Sequence, residues 1–280
     1  MEYVTLNNGV QMPILGYGVY QVDAEACEKC VLDALSVGYR SIDTAQAYGN
    51  EEGVGNAIEK SGIPRSDIFI TTKIWITNAG YDKAKKSIAE SLDKLKTNYI
   101  DLLLIHQPFN DYYGTYRAME EAYKEGKAKA IGVSNFYPDR LIDLAHFVNI
   151  KPAVNQVETH VFQQQKVARE VMQKTNTQIM SWGPFAEGRN NFFTNSLLQE
   201  IGKIHDKSVA QIALRFLIQN GIVVIPKSTQ KERMIENFDV FNFTLSDEEM
   251  ESISALDTGA SLFFSHQDPK TVERYMSILD

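Results

Sequence analysis

Eight short apolar runs alternate with helix-type segments along this 280-residue chain, and that alternation limits the possible folds more than any other feature. The runs are Ile14–Val19, Tyr39–Asp43, Ile68–Ile74, Ile100–His106, Ala130–Ser134, Ala153–Glu158, Ile179–Trp182 and Ile222–Pro226. Between them lie 24–37, 50–61, 80–96, 114–125, 137–147, 163–175, 196–205 with 208–220, and 231–238. In one of these, Ala84, Ile88, Leu92 and Leu95 recur at the three- and four-residue spacing of an amphipathic helix. Asp139 and Ser208 stand where helices can start. Strands this apolar cannot face water, so they predict a parallel sheet covered by helices. Eight such units close a barrel. The expected fold is therefore α/β, a (β/α)8 TIM barrel spanning residues 1–280 as one domain. Two pieces lie outside the repeat. Asn8-Gly9 predicts a β-hairpin within 4–13 that caps one end. Ser246-Asp-Glu-Glu opens an extra C-terminal helix over 246–256. From Thr258 onward the tail reads as irregular.

Composition narrows the function classes. The net charge of −8 argues against a nucleic-acid or anionic-membrane partner. No apolar run approaches the roughly 20 residues that span a bilayer. The opening Met1-Glu-Tyr-Val-Thr-Leu lacks the basic and apolar regions of a signal peptide, so a cytoplasmic protein is expected. The two cysteines, Cys27 and Cys30, sit in a helical pattern, and the five histidines show no ligand spacing. They read as ordinary thiols, with no metal site.

Three successive strands end on ionisable groups: Asp43, Lys73 and His106. In a barrel the C-terminal strand ends meet at the catalytic face. Each residue alone is more often structural, but three in a row, beside a loop carrying Tyr48, share specific roles. A phenol near pKa 10 is a poor proton shuttle at neutral pH, and a neighbouring Lys73 ammonium is expected to lower it. Asp43 pairs with that lysine, and His106 orients a substrate oxygen. Together they form a proton donor beside an oxygen that becomes an alkoxide. Carbonyl reduction needs that proton and also a hydride, which no side chain provides, so a nicotinamide cofactor is implied.

The motifs carrying these residues resemble the aldo-keto reductase family nearly end to end. Gly38–Tyr48 matches Gly-Tyr-Arg-x-Ile-Asp-Thr-Ala-x-x-Tyr, Ile131–Phe136 matches Ile-Gly-Val-Ser-Asn-Phe, and Ile225–Ser228 matches Ile-Pro-Lys-Ser. The resemblance implies a catalytic tetrad of Asp43, Tyr48, Lys73 and His106, with Tyr48 the general acid for reduction of aldehydes or ketones. It implies that Ser134, Asn135 and Gln156 hold the nicotinamide carboxamide and that Trp182 stacks on its ring. Gly183, Pro184 and Phe185 then begin the loop over the pyrophosphate. Lys227, Ser228 and Arg233 surround the adenosine 2′-phosphate, favouring NADPH, and Glu236 and Asn237 contact the adenine.

Departures from the family pattern fall at the substrate mouth. Gln107 replaces a frequent tryptophan after the fourth strand, Tyr20 replaces another in the first loop, and Val161 replaces a usual proline. Tyr20, Trp75, His106 and Gln107 are the expected substrate contacts. The short tail implies an open pocket with broad acceptance. The expected partner is a small carbonyl substrate, taken by a monomer. The alternative reading is a non-catalytic NADPH-binding auxiliary protein of the same fold. A barrel hydrolase using Asp43 and Glu158 is disfavoured, because Lys73 would lock Asp43 in an ion pair. The pairs Tyr81/Lys85 and Tyr123/Lys127 match Tyr-x-x-x-Lys but fall on solvated helices, and Gly-x-Gly-x-x-Gly is absent.

Overall fold

Tyr3–Thr5 (β1) and Gln11–Pro13 (β2) pair antiparallel, turning at Asn8-Gly9, where Gly9 takes φ +86°. The side chains of Asn7 and Asn8 donate to the Pro152 and Lys129 carbonyls, 3.1 and 2.9 Å away, at the strand-start end of the sheet. The hairpin thus closes the end away from the candidate site. This computed structural model describes residues 1–279. Its main sheet holds Tyr17–Gly18 (β3), Ser41–Asp43 (β4), Phe69–Ile74 (β5), Ile100–Ile105 (β6), Ala128–Ser134 (β7), Val154–Glu158 (β8), Gln178–Trp182 (β9) and Val223–Val224 (β10). Each strand pairs in parallel with the next. The Gly16 amide bonds to the Val224 carbonyl, and the Val224 amide to Ile14, at 2.8 and 2.9 Å, so the last strand meets the stretch entering the first and the barrel closes. Ladder bonds at this seam are sparse, which leaves regular strand only at 17–18 and 223–224 within the longer apolar runs.

The helices are Ala24–Val37 (α1), Glu51–Ser61 (α2), Tyr81–Lys94 (α3), Tyr112–Lys124 (α4), Pro138–Phe147 (α5), Lys166–Thr175 (α6), Ser196–His205 (α7), Val209–Gln219 (α8), Lys231–Phe238 (α9), Asp247–Ser254 (α10) and Pro269–Met276 (α11). On α3, Ala84 and Ile88 are buried against the sheet as their spacing predicts. Ser208 and Ser246 cap α8 and α10, each in a reciprocal box with the residue three positions on. Asp139 is not the cap of α5. Tyr137 takes that place and Pro138 the first turn, leaving Asp139 at the positive end of the helix dipole. Cys27 and Cys30 are buried free thiols of α1.

The tail departs from expectation. It holds a helix, α11, capped by Asp268, whose side chain accepts from the Lys270 amide, and Pro269 supplies the first-turn φ. That Asp-Pro pair was the readable signal. No helix among the described residues is long and apolar enough to cross a membrane.

Strand β7 runs close against β8 at Gly132, where an added Cβ would lie 2.3 Å from the Val154 carbonyl oxygen. Backbone cannot yield there as a side chain can. Gly132→Ala is expected to lower stability by about 1–3 kcal/mol or more, read as a fall in the urea midpoint.

Candidate active site

Strand β4 ends at Asp43, a 3-10 turn over Gln46–Tyr48 follows, and Gly49 at φ +67° lets the chain enter α2. Two polar side chains, Asn50 buried and Gln46 half-buried, hold this turn. Asn50 donates to the Val19 and Val22 carbonyls and accepts from Thr44 at 2.8 Å. Gln46 bonds the Trp75 amide, the Asn78 side chain and Ser91. The position of Tyr48 thus rests on Thr44, Gln46 and Asn50, which sequence reasoning did not single out.

Lys73, at 0 % exposure, spends all three protons. Its Nζ donates to Asp43 Oδ1 at 2.5 Å, to the Thr44 carbonyl at 2.8 Å and to the Tyr48 oxygen at 3.4 Å. The Tyr48 oxygen accepts from Lys73, so its own proton is free to point into the pocket. Gln156 donates to Asp43 Oδ2 at 2.8 Å, satisfying the other carboxylate oxygen. Burial pushes the Asp43 carboxyl up and the Lys73 ammonium down, while their contact pulls the opposite way.

The expected lowering of the Tyr48 phenol is not what the site shows. Burial pushes it well above its ordinary value, and the Asp43 carboxylate, Tyr20 and Tyr275 add to that. Asp43 offsets much of the Lys73 charge at the phenol, so desolvation prevails. Tyr48 therefore holds its proton until a stronger base forms beside it. His106 lies with its ring centroid 5.5 Å from Tyr48 and 5.0 Å from Trp75. Burial, then the nearby Lys73, push its imidazole well below its ordinary value, so it is neutral. Its Nδ1 is buried without a hydrogen-bond partner among the described residues. Tyr20, half exposed, packs on Tyr48 at 5.1 Å.

The residues expected around the nicotinamide gather at the ends of β7, β8 and β9. Asn135, at φ +63°, accepts from Trp182 Nε1 at 2.8 Å and donates to the His106 carbonyl, Ser134 Oγ and Gln107 Oε1. Ser134 Oγ donates to the Gln156 carbonyl at 2.8 Å. Gly183 at φ +65° turns the chain into a loop through Pro184 and Phe185. Beyond β10, Lys227 and Arg233 are exposed and have no acidic partner among the described residues. They flank the start of α9, whose N-cap Gln230 makes no side-chain cap bond. Two free cations beside open helix N–H groups suit a phosphate. Arg233, Glu236 and Asn237 share one face of α9 by their three- and four-residue spacing.

The tail does not leave the mouth open. Glu158, buried, accepts from Ser261 Oγ at 2.5 Å, from the Leu262 amide at 2.9 Å and from His160. Phe263 then packs edge-on against Trp182 at 5.1 Å. Farther on, Tyr275 sits 6.0 Å from Trp75 and 5.3 Å from Phe109. Gln107 is not a free wall of the mouth. It is 6 % exposed, accepts from His266 Nε2 at 2.8 Å and donates to the Tyr275 oxygen at 3.3 Å. The short tail therefore covers the pocket with aromatic side chains rather than leaving it exposed, and Phe263, His266 and Tyr275 join the site unannounced by any strand-end motif. The pair Tyr81/Lys85 lies on the surface, both bonded to Glu121.

Comparison with known proteins places this geometry. The aldo/keto reductase family model matches residues 14–258. The chain belongs to the aldo/keto reductase family. Glyoxal reductase of Bacillus subtilis is 46 % identical over 91 % of this chain and 92 % of its own length. The crystal structure of MGS-M4, an aldo-keto reductase from a Medee basin deep-sea metagenome library, superposes with a TM-score of 0.92 at 46 % identity, over 95 % of this chain and 98 % of that one. The Bombyx mori aldo-keto reductase in complex with NADP gives 0.88 at 32 % identity, over 98 % and 97 %.

The buried pair and the tail each generate an expectation. Lys73→Met leaves Asp43 charged and uncompensated, which is expected to cost about 3–5 kcal/mol in urea unfolding, and Asp43→Asn in the same chain should restore most of it. Burial, with Arg140 and Arg274, holds His266 at a pKa of about 4, below the ordinary histidine value. The unfolded tail then binds a proton more readily than the docked one, so docking is complete at neutral pH and weakens as pH falls from about 6.5 toward 4. Cleavage by a protease at the tail should accelerate over that window in the wild type and lose its acid dependence in His266→Gln.

Proposed function

We propose that Tyr48 is the proton donor of a carbonyl reduction, with Lys73, Asp43 and His106 completing the reacting centre and small 1,2-dicarbonyl compounds among its substrates. The family makes the chain an NADPH-dependent oxidoreductase acting on aldehydes and ketones. The observation carrying the residue assignment is the Lys73 contact with the Tyr48 oxygen, which leaves the phenolic proton directed at the pocket. A substrate carbonyl oxygen placed there lies between that proton and the neutral His106 ring. NADPH, when bound, would supply the hydride that the carbonyl carbon takes up, becoming NADP+. The oxygen gains electron density as that bond forms and takes the Tyr48 proton, giving the alcohol. The phenolate left behind faces the Lys73 ammonium at 3.4 Å, a preorganised positive charge where negative charge develops. Burial thus keeps the proton on Tyr48 beforehand, and Lys73 stabilises its loss.

Trp182, Ser134, Asn135 and Gln156 would hold the nicotinamide end. Lys227, Ser228, Arg233, Glu236 and Asn237 would hold the adenosine end, where the unpaired cations favour the 2′-phosphate of NADPH over NADH. The dicarbonyl reading draws on the glyoxal reductase likeness and on a mouth that is aromatic, walled by Tyr20, Trp75 and Tyr275. We read the chain as a cytoplasmic monomer. All the side chains of the site come from one chain, and the two buried thiols are unpaired, as a reducing compartment leaves them. The auxiliary-protein alternative has no observation in its favour, since the four reacting groups are assembled.

Tyr48→Phe is expected to lower kcat by about 10²–10⁴-fold while quenching of Trp182 fluorescence by NADPH keeps its half-saturation point. An equal loss of binding would make Tyr48 a structural residue. Arg233→Ala should weaken NADPH about 10–100-fold and NADH less than about two-fold in the same titration.

A further inference from the structure

We propose that the phenol of Tyr275 donates a hydrogen bond to a second oxygen of the substrate, making this tail residue a selector for carbonyls that bear an oxygen on the adjoining carbon. The inference rests on the reductase reading and assigns its preference to a residue outside the stretch 14–258 that the family shares.

The direction of each hydrogen bond from the cofactor end to the mouth follows from one group that can only donate. The Trp182 indole carries an N–H and no acceptor, so the atom it meets at 2.8 Å is the Asn135 oxygen. The Asn135 amide nitrogen therefore faces Gln107 at 3.3 Å, where a second amide nitrogen would repel it and the Gln107 oxygen is the atom that fits. That oxygen also takes His266 Nε2 at 2.8 Å, so His266 donates too. The Gln107 nitrogen is left facing Tyr275 at 3.3 Å, and an amide nitrogen cannot accept. The Tyr275 oxygen accepts, and its proton remains to be given. No described residue receives it.

The Tyr275 side chain lies beside the reacting centre. Tyr275 stands 6.0 Å from the Trp75 ring, which in turn stands 5.0 Å from His106. It is close enough to Tyr48 to raise that phenol. The pocket thus holds two phenolic protons, one fixed by Lys73 and one by Gln107. A lone carbonyl uses the first. A 1,2-dicarbonyl or 2-hydroxycarbonyl compound uses both, and it then leaves neither donor unpaired. Gln107, the departure from the family's tryptophan, is the positioning residue for this donor.

Methylglyoxal and propanal share a three-carbon skeleton and differ by the second oxygen. In steady-state NADPH oxidation, Tyr275→Phe keeps the ring packing and removes the hydroxyl, both the donor to the substrate and the acceptor for Gln107. Its kcat/KM is expected to fall about three- to ten-fold for methylglyoxal, mainly through KM, and to stay within about two-fold for propanal. Equal changes for both substrates, or none for methylglyoxal, overturn the assignment. If the wild type oxidises NADPH with neither substrate, the reductase reading falls and this one with it.

Discussion

A lysine with no solvent exposure, spending three protons on three oxygens, organises the catalytic end of this barrel. Burying a single charge of that kind would cost several kcal/mol, so Lys73 is tolerable only beside Asp43, and Asp43 only because Gln156 and Lys73 satisfy both its oxygens. The arrangement requires β4, β5 and β8 to end at matching heights, which the parallel register of a closed barrel provides. Hairpin, closing seam and helices can be read as the scaffold that holds those three strand ends. The pair contributes little net stability after desolvation, and its use lies in where it puts a cation.

That cation acts on Tyr48 in two stages. Before reaction it fixes the direction of the phenolic O–H without loosening the proton, because burial and the Asp43 carboxylate outweigh it. During reaction the balance reverses, since the developing phenolate lies against an ammonium that need not reorient. The turn carrying Tyr48 is held for the same purpose. The Asn50 and Gln46 side chains take seven hydrogen bonds between them, so the phenol approaches the strand ends at a set distance. A looser loop would give up the orientation that Lys73 imposes.

Much of this was legible in the chain before any coordinates. Asp43, Lys73 and His106 each stand at the end of an apolar run, and counting eight runs is enough to bring the ends together. The hairpin at Asn8-Gly9 and the capped helix after Ser246 follow from local turn and cap chemistry. What stayed hidden depends on contacts distant in sequence. The tail from Thr258 shows no apolar period, and it orders by docking: Ser261 on Glu158, Phe263 on Trp182, His266 on Gln107. Those are pairings across some 80 to 160 positions, and no local pattern announces them. The pKa of Tyr48 was misread because a neighbouring lysine was counted without the desolvation and the carboxylate that come with it. Gln107 looked like a substituted pocket wall, whereas its amide joins the cofactor side of the site to the tail.

The account turns on two groups whose protonation does not change in the working range: a phenol raised by burial and an imidazole lowered by it. The measurement that tests this most directly is the pH dependence of kcat/KM for aldehyde reduction. From about pH 6 to about pH 8 the account predicts a level profile, with Tyr48 protonated and His106 neutral throughout. An inflection inside that range that disappears in Tyr48→Phe or His106→Gln would contradict it.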